Sequence, residues 1–152
     1  MALTNDKSKK QLEHLLLICN DGIEGYKKAA DQSKGIEFTT LFTDYVIQRN
    51  GYANELKEQI RLLGGDSDNQ TSGTIGVLHR LWTDIKYKLS SDEEHVALEA
   101  CIEGEKAAIA AYDEVLADAA DFSSELTELI QDQRDGIERA LIKAEQLMRV
   151  YS

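Results

Sequence analysis

The chain has 152 residues, 42% of them hydrophobic and 30% charged, with a formal net charge of −11 and no proline. That length and composition suit one folded domain and exclude global disorder. A net charge of this sign repels phosphate backbones and anionic membrane surfaces, which are bound by clustered Lys and Arg, so neither nucleic acid nor membrane is an expected partner.

Without proline, long helices can run with neither kink nor forced stop. Residues 1–10 lack the apolar core of an export signal, and apolar runs such as Leu15 to Ile18 are far too short for a bilayer, so a cytoplasmic location is expected. Leu12, Leu15, Leu16, Cys19, Ile23, Tyr26 and Ala30 recur every three or four positions and predict a helix over 8–32. Ser8 with Gln11 reads as its capping box, and Gly35 as the left-handed residue that closes it. The stripe from Phe38 through Tyr45, Arg49 and Leu56 to Leu63 predicts a second helix over 35–63, stopped by Gly64-Gly65. Residues 65–73, "GDSDNQTSG", read as a loop. A shorter amphipathic helix over 74–89 follows, with Leu78, Leu81, Trp82, Ile85 and Leu89 on one face. Ser91 with Glu94 reads as a second capping box, opening a helix over 92–119, and the last helix spans 124–151. Cys19 and Cys101 sit on these stripes and read as reduced, buried thiols.

Four long helices of matched length predict an all-α four-helix bundle. Tight links make antiparallel hairpins of the first and last pairs, while the crossover over 64–91 is long enough to run the length of the bundle. The order is then up-down-down-up, which resembles the ferritin-like arrangement. One domain covering 1–152 is expected.

An internal repeat supports two related hairpins. Cys19-x-Asp21-Gly22 matches Cys101-x-Glu103-Gly104, and Gln48-Arg49-x-Gly51 matches Gln133-Arg134-x-Gly136, at offsets of 82 and 85. Each mid-helix glycine costs roughly 1 kcal/mol relative to alanine. Gly22, Gly104 and Gly136 flank their stripes, so close backbone approach is the expected compensation.

Turning about 100° per residue points Arg49, Glu105 and Gln133 inward, and a buried polar cluster of these three is expected, because an isolated buried charge is too costly. A carboxylate-bridged metal pair in such a bundle needs Glu-x-x-His on two helices, and no Glu-x-x-His occurs in the chain. Glu24, Glu103 and Glu105 are the residues from which a degenerate metal site would be built. His14, His79 and His95 are expected on outer faces. Asp66-x-Asp68 starts like a calcium loop, but Thr71 and Val77 replace its glycine and glutamate. No nucleophile–base set or phosphate-binding fingerprint is present. Tyr26, Tyr45, Tyr52 and Tyr112 read as core aromatics, or as the wall of a small apolar ligand site.

The runs "LLLICNDGIEGYKKAA", "VIQRNGYANEL", "GVLHRLWTDIK" and "LEACIEGEKAAIAAYDEVL" together resemble an uncharacterised bacterial family, domain of unknown function 2383, classed among ferritin-like bundles. The resemblance covers nearly the whole chain and implies the fold and a bacterial source; it brings no established activity. The functional expectation is therefore a non-catalytic bundle without cofactors, binding a protein partner or forming a homo-oligomer, with Leu81, Trp82 and Ile85 as its interaction surface. The alternative is a metal-binding ferritin-like protein with a degenerate carboxylate site.

Overall fold

Apolar residues three and four apart fold here into helices that each bury one stripe. The computed structural model describes residues 2–65 and 76–151, with side chains described over 6–65 and 80–151. Among these residues there are five helices and no strand: α1 (Ala2–Gln32), α2 (Ile36–Leu62), α3 (Gly76–Leu89), α4 (Glu94–Ala117) and α5 (Ser124–Tyr151). The loop over 66–73, the Asp66-x-Asp68 pair and the side chain of His79 lie outside the described residues.

The helix ends correct the capping scheme. α1 starts at Ala2 and buries Ser8 within the helix, because nothing in the first residues breaks the helical run. Gly35 is extended (φ −88°, ψ 143°), not left-handed, and precedes α2. Glu94 does not cap its own helix. Its Oε2 instead accepts the Lys34 and Gly35 backbone N–H groups at 3.1 and 2.9 Å, tying the α1–α2 link to the start of α4. The expected stop after α2 forms: Gly64 takes φ 83°, its N–H reaches Arg61 O, and Gly65 N–H reaches Ile60 O. Ser123 Oγ accepts the Leu126 N–H at 3.1 Å and caps α5.

α1 packs on α2 and α4 packs on α5; α1 also meets α4, α2 meets α5, and α3 lies on α1 and α4. The contacts give the directions. Lys7 near the start of α1 pairs with Asp118 just beyond α4 at 2.9 Å, while Glu94 meets the link that follows α1, so α1 and α4 are antiparallel. The Tyr45 hydroxyl donates to Ala140 O, and Gln133 Nε2 donates to Tyr52 O at 3.3 Å, which makes α2 and α5 antiparallel as well.

Trp82, Ile85 and Leu89 of α3 are fully buried in the chain's own core, and Leu81 is half-buried. The expectation of an interaction surface at Leu81, Trp82 and Ile85 is thus corrected: these side chains fill the groove between α1 and α4. Two glycines open that groove. A Cβ on Gly25 would lie 2.7 Å from Leu89 Cδ1, and one on Gly104 would lie 3.0 Å from Trp82 Cη2. Gly22 has nothing nearer than 3.5 Å, so close approach is not its reason.

The second half of the repeat is also out of register with the motif match. Arg49 is buried, whereas Arg134 is near the surface and pairs with Asp113 at 2.9 Å and with Glu138. The buried polar side chain of α5 is Gln133, which stands at an offset of 84 from Arg49. One residue of slip turns a helix by about 100°. Gly136 accordingly lies under Tyr52, whose hydroxyl a Cβ there would overlap, while Gly51 has nothing within 4 Å.

Candidate functional site: the buried polar layer

Five polar or charged residues are buried among those described: Ser8, Asp21, Arg49, Glu105 and Gln133. Arg49 of α2 and Glu105 of α4 form an ion pair between Nη2 and Oε2, with both side chains essentially inaccessible to solvent. Tyr26 of α1 donates its hydroxyl to the other carboxylate oxygen, Oε1, at 2.5 Å. The guanidinium also stands 5.8 Å from the centre of the Tyr26 ring. Burial opposes the charge on Arg49, but Glu105 beside it more than offsets that, and its pKa is raised. The Tyr26 phenol is held neutral, pushed up by burial and then by Glu105, so it serves as a hydrogen-bond donor.

Gln133 is buried in a neighbouring set and bonds to neither charge. Its Oε1 accepts the Tyr112 hydroxyl at 2.6 Å, and its Nε2 donates to Glu55 Oε1 at 3.0 Å as well as to Tyr52 O. Tyr112 reaches Cys19 Sγ at 3.5 Å. Both cysteines are buried free thiols whose pKa is raised by burial, so neither offers a thiolate. Tyr26 and Tyr112, read from the sequence as core aromatics, also serve as hydrogen-bond donors of this layer. Tyr112 follows Glu105 by seven positions on one face of α4, and this spacing was the available signal.

The metal candidates do not converge. Glu24 and Glu103 face outward and pair with lysines of α3: Lys86 lies 3.5 Å from Glu24 and Lys88 lies 3.8 Å from Glu103. Glu105 alone is inside, and its carboxylate is taken by Arg49 and Tyr26. A carboxylate-bridged metal pair does not fit this donor set, which supplies one committed carboxylate and a cation beside it. Among the described residues no group of three or more His, Cys, Asp or Glu side chains is arranged to hold a metal ion. His95 is exposed and 2.6 Å from Glu99. His14 departs from the expected outer position: it is half-buried between α1 and α4, and burial lowers its pKa.

These observations describe an all-α helical protein with a mutually neutralised charge pair at its centre and, among the described residues, no helix long and apolar enough to cross a membrane. The chain belongs to the family described as domain of unknown function (DUF2383), whose model matches residues 7–118, from α1 through α4. No curated protein and no solved structure gives a significant match.

Proposed function

We propose that this chain is a ferritin-like four-helix bundle of up-down-down-up order, cytoplasmic and bacterial, that acts by protein contact and self-association without catalysis. The antiparallel neighbours α1–α4 and α2–α5, with α3 as a crossover laid on one face, support that order. At the centre the charges of Arg49 and Glu105 neutralise each other, and the outer surface is read as the working part of the molecule.

One observation carries the contact reading. Seven large apolar side chains are exposed among the described residues, and six of them lie on α2 and α5: Ile36, Ile47, Leu62, Ile142, Val150 and Tyr151. The face between α1 and α4 is covered by α3, whereas among the described residues no helix is packed across the groove between α2 and α5, where Ile36 and Val150 lie with Leu41 and Leu147. Concentrated apolar exposure of this kind marks an interaction site. Light scattering across a concentration range tests the reading. A mass above one chain is expected at high concentration; a one-chain mass at every concentration contradicts self-association.

A further inference from the structure

The uncovered face carries a charge pattern along α5. Glu125, Glu128, Asp132, Arg139, Lys143, Gln146 and Val150 follow one another at spacings that keep them on a single stripe, and all seven are exposed. The first half of the stripe is acidic and the second half basic. Glu55 of α2 adds to the acidic end of the groove between α2 and α5, and Ile36, Leu41, Leu147 and Val150 make the other end apolar. Glu37 and Asp44 stand on the α2 wall beside the basic half, but no ion pair joins either to Arg139 or Lys143. Arg134, which points away from the stripe, is by contrast paired with Asp113, Asp135 and Glu138. Among the described residues, then, the stripe charges have no ion-pair partners within the chain.

A stripe that reverses sign at its middle is complementary to itself when two copies lie antiparallel. Counting outward from the midpoint between Asp135 and Gly136 sets Asp132 opposite Arg139 and Glu128 opposite Lys143, and a two-fold axis makes each pairing twice. We propose that α5, with the adjoining wall of α2, binds a second copy of this chain across a two-fold axis near Gly136, with acidic and basic halves matched. The inference rests on the self-association proposed above and names its surface. Sequence registers are enough to specify the partner: an identical helix, running the other way.

Charge exchange tests it. Arg139→Glu/Lys143→Glu makes the stripe uniformly acidic, and Glu128→Lys/Asp132→Lys makes it largely basic; all four positions are exposed, so circular dichroism is expected to show both variants folded. Like charges facing each other weaken each homodimer by roughly 100-fold or more. By light scattering each variant alone is expected at the mass of one chain, and an equimolar mixture of the two at the mass of two. Variants that keep the wild-type mass overturn this surface while leaving self-association standing. A mixture that stays at one chain overturns the antiparallel match. A wild type that is one chain at every concentration removes both this surface and the self-association it rests on.

Discussion

Arg49 and Glu105 are each buried away from the protein surface, so each depends on the other. Breaking a buried pair by removing one partner costs about 3–5 kcal/mol, because a bare charge is left behind, whereas replacing both with apolar groups is often near neutral. Glu105→Gln is therefore expected to lower the urea-unfolding free energy by about 3–5 kcal/mol, and Arg49→Met by a similar amount. The double variant Arg49→Met/Glu105→Leu is expected to lose much less than the sum, and simple additivity in that cycle would mean that the two charges do not depend on each other. The inward turn of both residues is legible in the sequence, since about 100° per residue places them mid-stripe. The partners of Gln133 are not legible. Angle says which way a side chain faces and nothing about depth along the axis, and Gln133 meets Tyr52 and Glu55, the next turns of α2 beyond Arg49.

At the scale of the helix, glycines that look alike in sequence do different jobs. Gly51 is exposed and has open space where a side chain would start, so Gly51→Ala is expected to stabilise the protein by roughly 1 kcal/mol through helix propensity alone. Gly136→Ala carries the same propensity gain but drives a Cβ into the Tyr52 hydroxyl, and it is expected to destabilise. Adding Tyr52→Phe to Gly136→Ala removes the obstructing oxygen and is expected to recover part of the loss. Thermal melts of the three variants check this; a stabilising Gly136→Ala would refute the packing of α5 on α2. Helix spans are readable from periodicity, and α5 falls on its expected 124–151. Helix ends are less so: Glu94 has the spacing of a capping box, yet its carboxylate goes to backbone donors on the α1–α2 link, a contact that local sequence does not encode.

At the scale of the whole molecule, one face of the helical pack is covered by α3, and among the described residues no helix covers the face on α2 and α5. α3 seals the first by lowering Trp82, Ile85 and Leu89 over glycines of α1 and α4, with Lys86 held by Asp21 at 3.0 Å. The same sequence stripe suits an intermolecular contact equally well, since amphipathicity shows that a helix must cover something apolar without saying on which chain. The open face on α2 and α5 is spread over two helices distant in sequence, so neither helix alone reveals it. Both faces enclose a centre where a guanidinium answers the buried carboxylate. Metal loading tests that centre most directly. Protein exposed to iron(II) or manganese(II) without oxygen and then desalted is expected to retain no stoichiometric metal. Retention of one or two equivalents that is lost in Glu105→Gln would contradict the account.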